Sequence, residues 1–434
     1  MIRLSGPQSL AIADASFRPA GSSAKPSAAP THTIHFGRII RRGQVVDEVL
    51  LSVMRAPRTF TREDVVEITC HGGLLPAKLV LDTVLENGAR LAEPGEFTRR
   101  AFLNGRIDLT QAEAVVDLIH ARTELAAAAA QEQLAGHLSK RIHQVRDDLM
   151  KMLAHVEAHI DFPDEDIQPD TKEQLWARLR AAQNFMDELL RTANEGRLLR
   201  RGIRAAIIGR PNVGKSSLLN QLLGQERAIV SPQPGTTRDT IEETADVRGV
   251  PVIFIDTAGL RETADDIEAE GVRRSRQTLA TAELILHVLD GSEPLGDMDT
   301  KLLTEFEGRK RLLISNKSDL PQRLKLPDGL CATQVCCLKG TGVEDLKDAV
   351  KAMVWSGGVS TEMLQVMINS RHEDALRRGR EGVERVAAAW RADLGLELVA
   401  FDLRAAANAV GEIVGKTTTE DLLDSIFSQF CIGK

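Results

Sequence analysis

Apolar and polar positions change their period several times along the chain, and each change predicts a different kind of element. Over the first hundred residues MIRLSGP, THTIHFGRII and VVDEVLLSVMRA read as strands around turn chemistry, RRGQ among it. LLPAKLVLDTVLENGAR switches to helical spacing and ends near Gly88. Together these predict a small α+β domain over residues 1–100. Between the first two strands lies PAGSSAKPSAAP, whose Pro, Ser and Ala content predicts a flexible loop.

From Leu109 the pattern turns helical for some fifty residues. Leu138, Ile142, Val145, Leu149, Met152 and Val156 step by four and three, the seam of a long packed helix that DFPDED after Ile160 stops. A second helix, about 172 to 195, leads into GRLLRRGIR. Its four arginines either meet RNA phosphates or complement the negative end of the helix dipole, the more ordinary role for arginine there. Residues 201–355 alternate apolar strands with helices, the mark of a parallel sheet, and residues 356–434 are helical again. The expected fold class is multidomain, α/β and α. It comprises an N-terminal α+β domain, a discontinuous helical domain (101–200 and 356–434) and an inserted α/β domain (201–355).

Composition narrows the picture. A chain of 434 residues carries two to four domains at about 100 to 200 residues each. Net charge −7, with 43% hydrophobic and 27% charged residues, is globular, so any RNA contact is a local patch. Aromatics are 3% with no Tyr, which argues against a single-strand binder built on stacking platforms. There is no 18-residue apolar run and no charged-then-apolar leader, which argues against membrane spanning and secretion. Five scattered cysteines are no disulfide framework and predict a reducing cytoplasm.

The chemistry is concentrated in the α/β region. RAAIIGRPNVGKSSLLNQLLG sets Gly209, Gly214, Lys215 and Ser216 in P-loop spacing, after an apolar strand and before a helix. There glycines let backbone N–H groups close on phosphate oxygens, Lys215 neutralises β/γ charge, and the Ser216 hydroxyl suits Mg²⁺. VIFIDTAGL supplies Asp256 on the Mg²⁺ side and Gly259 for a γ-phosphate, and PGTTRD supplies Thr237 as a second Mg²⁺ hydroxyl in the triphosphate state. LLISNKSDL adds Asn316, Lys317 and Asp319; a carboxylate that accepts two hydrogens from the guanine edge selects GTP, so the inserted domain is expected to be a Ras-like P-loop GTPase domain. The predicted GTP-contacting set is Asn212, Val213, Gly214, Lys215, Ser216, Ser217, Ser231, Gln233, Gly235, Thr236, Thr237, Asp256, Thr257, Ala258, Gly259, Asn316, Lys317 and Asp319. Cys336, Cys337 and Leu338 stand where a guanine-cradling loop reads Ser-Ala-Lys or similar, and the adjacent thiols are either a redox pair or buried at a strand end, the latter expected.

Leu260 follows DTAG where a Ras-like enzyme keeps its glutamine, so water must be oriented otherwise. Arg238 and Arg261 are nearby cations for a finger's role, a monovalent cation beside Asn212 is another, and Glu268 is the candidate for water positioning. Glu262, Asp265, Asp266 and Glu270 are rival carboxylates on spacing alone.

On GRPNVGKSS, PGTTRD, DTAGLRE, PGEFTRRAFLNGRIDLTQAEAVVDLI, DFPDED and terminal SQFCIGK, the chain resembles, end to end, the MnmE (TrmE) family of tRNA-modification GTPases within the TrmE-Era-EngA-like superfamily. The resemblance implies potassium-stimulated hydrolysis through G-domain dimerisation, with Asn212, Ser231, Gln233 and Thr236 around potassium and Glu268 as catalytic glutamate. It implies a homodimer and a heterotetramer with the FAD-containing MnmG/GidA protein. Together they would add an aminomethyl or carboxymethylaminomethyl group to carbon 5 of the wobble uridine of certain tRNAs. A 5-formyltetrahydrofolate or related tetrahydrofolate is the implied one-carbon source, matched to Arg3, Glu67, Arg106 and Lys434; two arginines and a lysine suit a glutamate tail. Cys431 would act in the modification, its alternative being a packed thiol near Phe427 and Phe430.

The family's usual twenty or so residues before I-R-L-S-G are absent here, which bears on dimerisation and on Arg3. FCIGK is a poor prenylation box, since Gly433 is not aliphatic. The competing reading is an RNA-binding ribosome-assembly switch of the Era or EngA type, which predicts a compact RNA module after the G domain. A third reading, a membrane-remodelling GTPase, is disfavoured because the sequence shows no lipid-binding stretch.

Overall fold

The computed structural model describes residues 1–21, 25–162, 172–224, 242–255, 279–355, 361–392, 394–417, 419–430 and 433. By contacts the chain divides into two compact units: Met1–Val116, Ser139–Glu165 and Gly395–Lys434 form one, and Asp117–Leu138 with Asp166–Leu394 the other.

The first unit is built on an antiparallel sheet of β1 (Ile2–Ser5), β2 (Phe17–Pro19), β3 (Thr33–Arg41), β4 (Gln44–Met54) and β5 (Val65–Thr69), in the order β1-β5-β4-β3-β2. Period-2 alternation sends Ile39, Leu51, Val53, Val66 and Ile68 into a core closed by Val80 and Val84 of the helix Leu74–Glu86. The opposite face leaves Ile34 and Phe36 exposed, with Leu50 opposite Phe36.

Three elements were not legible in the pattern: the helix Ser9–Ser16, β2 and β5. The Pro/Ser/Ala segment is also more ordered than expected where it is described. Pro26–Ala28 form a 3₁₀ turn, Pro26 and Ala29 are buried, Asp14 accepts from Ser27 N at 2.9 Å, and the Arg55 guanidinium donates to the Ser27 and Ala29 carbonyls. Distant side chains order the segment, which composition could not reveal.

In the same unit the greater part of the long helix His137–Asp161 buries the seam residues Ile142, Leu149 and Met152 completely. The helix Glu420–Phe427, capped by the Thr419 hydroxyl accepting from Leu422 N, packs Phe427 and Phe430 against Leu109 and Phe102.

The second unit carries β6 (Ile203–Ile208), β7 (Glu243–Val247), β8 (Val250–Phe254), β9 (Leu284–Asp290), β10 (Arg311–Asn316) and β11 (Ala332–Gln334), in the order β11-β10-β9-β6-β8-β7. All described pairings are parallel except β7 with β8. Its strands are continuous apolar runs because both faces are covered, β8 and β9 being buried at every position. The predicted helix over about 172–195 is two helices, Lys172–Arg191 and Ala193–Arg201. The break falls at Thr192, whose hydroxyl donates to the Leu189 and Val366 carbonyls. The helix Lys172–Arg191 pairs with Ser370–Arg391, Trp176 stacking on Trp390 at 6.0 Å.

Candidate nucleotide site

The phosphate loop joins β6 to the helix Lys215–Leu223, and its backbone conformation dictates its residues. Gly209 and Gly214 have φ of 146° and 99°, while Asn212, at 62°, is one of the few side chains that tolerate the left-handed region. Space is equally restrictive. A Cβ at Gly209 would stand 2.3 Å from the Val288 carbonyl oxygen, and one at Gly214 would stand 2.2 Å from Asn316 Nδ2. Lys215 Nζ lies inside the loop, donating to the carbonyls of Gly209 at 3.0 Å and Arg210 at 2.7 Å. Burial lowers its pKa, and the ammonium sits where phosphate charge would be met. Ser216 and Ser217 follow on the first helical turn, where the direction of the N–H groups and the dipole favour an anion. A hydroxyl at Ser216, one residue past Lys215, is a hard oxygen donor in the place a Mg²⁺ on those phosphates requires, so the described part of the donor set fits that ion.

The segment predicted to read the base leaves the end of β10. Asn316, 4% exposed, does not face open space: its Nδ2 donates to the Val213 carbonyl at 2.8 Å, and its Oδ1 accepts from Cys337 N at 3.0 Å. One amide therefore fastens the phosphate loop to the loop carrying Cys336, Cys337 and Leu338. Lys317, at φ 64°, donates from Nζ to Asp290 Oδ2 at 2.6 Å. Asp319 keeps a partly open carboxylate, 3.8 Å from Lys339 Nζ.

Cys336 and Cys337 are free and buried, as expected for strand-end packing. Burial, with the neighbouring Cys336, pushes the Cys337 thiol up to about 11, which makes it a poor nucleophile. The Cys337 carbonyl accepts from Gln221 Nε2 at 2.8 Å and Leu338 is exposed, so the loop is held through its backbone whatever its side chains.

Sequence reasoning missed the supports of this site. Asp290 ends β9 with its side chain 5% exposed, accepting from Lys317 and from the backbone and hydroxyl of Ser292. Burial pushes its carboxyl up, but those bonds prevail and hold it below the usual carboxylate range. Arg210, inside the phosphate loop, pairs with the buried Asp299 at 2.9 Å and with Glu293 at 3.1 Å. A carboxylate closing an apolar strand before Gly-Ser was the available signal for Asp290; nothing local marked Asp299.

Of the other predicted residues, Ser231, Gln233, Gly235, Thr236, Thr237, Asp256, Thr257, Ala258, Gly259, Glu268, Cys431 and Lys434 lie outside the described residues. In the other unit, β1–β5 pairing sets Arg3 opposite Glu67, and the two join at 2.6 Å. Arg3 also donates to the Gly433 carbonyl at 3.4 Å, so the chain's end reaches this pair. Arg106 has different neighbours, donating to the Thr59 carbonyl at 2.6 Å with its guanidinium over the Phe60 ring.

Comparison with known proteins bears on both units. Residues 1–106 match a family model described as the GTP-binding protein TrmE N-terminus, and residues 109–431 match the MnmE helical domain. Among curated proteins, a tRNA modification GTPase MnmE of Geobacillus kaustophilus is 48% identical, over 100% of this chain and 96% of its own length. Proteins of the same name from Bacillus subtilis and Geobacter metallireducens are 45% and 47% identical, with the same coverage.

Proposed function

Since the chain belongs to the MnmE (TrmE) family of tRNA modification GTPases, we propose that it couples GTP hydrolysis to modification of the wobble uridine of certain tRNAs. The observation that carries this reading is Asn316, whose single amide joins the phosphate loop at Val213 to the base loop at Cys337. A site so built takes a guanine nucleotide, with Asp319 accepting from the guanine edge and Lys215 meeting the phosphates. Mg²⁺ would be held by Ser216 and Thr237, and its charge offsets that of the phosphates. Potassium would be held by Asn212, Ser231, Gln233 and Thr236, a reading supported by the left-handed backbone of Asn212, which fixes that residue's direction at the loop. Glu268 orients the attacking water.

In this reading a FAD-containing partner of the MnmG/GidA kind joins the chain in installing an aminomethyl or carboxymethylaminomethyl group at carbon 5. A tetrahydrofolate such as the 5-formyl form supplies one carbon. Arg3, Glu67, Arg106 and Lys434 are its proposed binding set, and the approach of Gly433 to Arg3 supports the inclusion of the terminal residue. The pair Arg3–Glu67 supplies one cation, which can donate to an acidic tail, and one carboxylate, which can accept from a pteridine's N–H groups. Homodimerisation through the N-terminal sheet is supported by exposed Ile34 and Phe36 on one strand. The family model's reach over 109–431 supports reading the helices on either side of the nucleotide sheet as one discontinuous domain. Among the described residues no helix is long and apolar enough to cross a membrane, and we place the activity in the cytoplasm.

The test is genetic and chemical together. In a strain deleted for its own family member, this chain should restore the modified wobble nucleoside, and purified protein should hydrolyse GTP faster in potassium than in sodium at equal ionic strength. Restoration of growth without the nucleoside would favour an assembly switch and overturn the proposal.

A further inference from the structure

The four arginines of GRLLRRGIR have different fates. Arg200 is internal, bonded to Asp117 at 2.5 Å and to Gln133 at 2.9 Å. Arg204 pairs with Glu242 at 2.7 Å. Among the described residues Arg197 reaches only the neutral Asn194 side chain, at 3.0 Å, and Arg201 is exposed with no ion-pair partner.

Arg197, Arg201 and Arg204 line a groove of about 610 Å³ that Lys310 enters from the connection before β10, with Glu242 and Glu283 on the remaining wall. Glu242 is occupied by Arg204, and Glu283 accepts from the Arg204 backbone N–H at 3.2 Å. The groove therefore keeps an excess of positive charge on a chain whose net charge is −7. The helix dipole accounts for only part of this. It accounts for Arg201 in the last turn, but Arg197 stands a turn earlier, where the effect has faded, and Lys310 belongs to another element.

We propose that this groove receives the phosphodiester backbone of tRNA, through Arg197, Arg201 and Lys310. The inference rests on the tRNA-modifying reading above and adds the surface that reading lacks. Phosphate contacts made by long, exposed cations fix position without reading sequence, which suits a substrate set of several tRNAs that share an anticodon chemistry. An acidic protein surface is the competing occupant. It is disfavoured because the family to which the chain belongs modifies tRNA, so a phosphodiester backbone must be held somewhere on its surface, and Glu242 and Glu283 are already engaged by Arg204.

The experiment uses the full chain. The triple variant Arg197→Ala/Arg201→Ala/Lys310→Ala and the charge-keeping pair Arg197→Lys/Arg201→Lys are compared with the wild type. The readout is affinity for unmodified tRNA between about 50 and 200 mM salt, the range in which counterion release is legible. In the triple variant the slope of log affinity on log salt should fall by about 2 to 3, with about tenfold or greater loss of affinity at low salt. The lysine pair should keep the slope, and GTP turnover should be unchanged in both, since none of these residues touches the nucleotide site. A triple variant with wild-type tRNA affinity and slope overturns the inference alone, and loss of binding to the flavoprotein instead would assign the groove to protein. A wild type with no affinity for tRNA would overturn the functional reading and this inference with it.

Discussion

Asn316→Ala is the substitution that most directly tests how the nucleotide site is held. It removes the donor to Val213 O and the acceptor of Cys337 N, and both of those residues are buried, at 2% and 4% exposure. Each bond contributes about 0.5 to 1.5 kcal/mol net, and a buried group left unpaired costs about 1 to 3 kcal/mol. The expected loss is therefore about 2 to 4 kcal/mol, against a total stability of about 5 to 15 kcal/mol, so the protein should still fold. Binding should suffer more visibly than folding, because nucleotide must then order two loops that the amide holds in register beforehand. If most of that energy moves into binding, the dissociation constant rises about 30-fold to 1,000-fold. Urea unfolding and titration with a fluorescent guanine nucleotide measure the two effects. Asn316→Asp is the informative control, because it keeps an acceptor for Cys337 N but sets an oxygen against the Val213 carbonyl; the phosphate loop should loosen while the base loop stays. Loss of under about 0.5 kcal/mol in the alanine variant, with unchanged affinity, would show that these bonds contribute nothing net and refute the reasoning.

His287 lies in the centre of β9, fully buried, with neither ring nitrogen bonded among the described residues. Burial first, and Arg311 second, depress it to about 4. The folded protein thus keeps the ring neutral while the unfolded chain protonates near its ordinary value of about 6.5. Stability should be complete above about pH 6.5 and decline as pH falls toward 4, by about 2 kcal/mol at pH 5. The difference in urea midpoint between pH 7 and pH 5 should shrink in His287→Leu; an equal difference in both proteins would contradict it. Asp319→Asn should move preference from GTP toward xanthosine triphosphate, with ATP a poor substrate throughout, as competition assays would register. Glu268→Ala should abolish hydrolysis while nucleotide titration shows intact binding. Cys431→Ser should leave GTP turnover near wild type yet remove the modified uridine from tRNA; a stable variant with full modification would make Cys431 a packing residue.

The sequence by itself determined whatever depends on neighbours along the chain. P-loop spacing followed from phosphate geometry: Gly209 and Gly214 adopt conformations and close approaches that no larger residue allows, so the chemistry is written in consecutive letters. The 3.6-residue seam from Leu138 to Val156 was legible for the same reason, since one helix face repeats locally. Short elements were not. The helix Ser9–Ser16 and strands β2 and β5 carry no pattern that sets them apart from their surroundings, and they exist because the sheet and Leu74–Glu86 supply them with a core. Tertiary structure alone decided which charged residue meets which. Arg200 and Arg201 are adjacent letters, yet one is bonded to Asp117 and the other opens on a groove that Lys310 completes. In the same way Asp290 supports Lys317, Asp299 steadies Arg210, and Asn316 bonds inward to two loops as well as marking a guanine motif. A carboxylate's or an amide's partner is set by proximity after folding, over sequence separations that no periodicity spans.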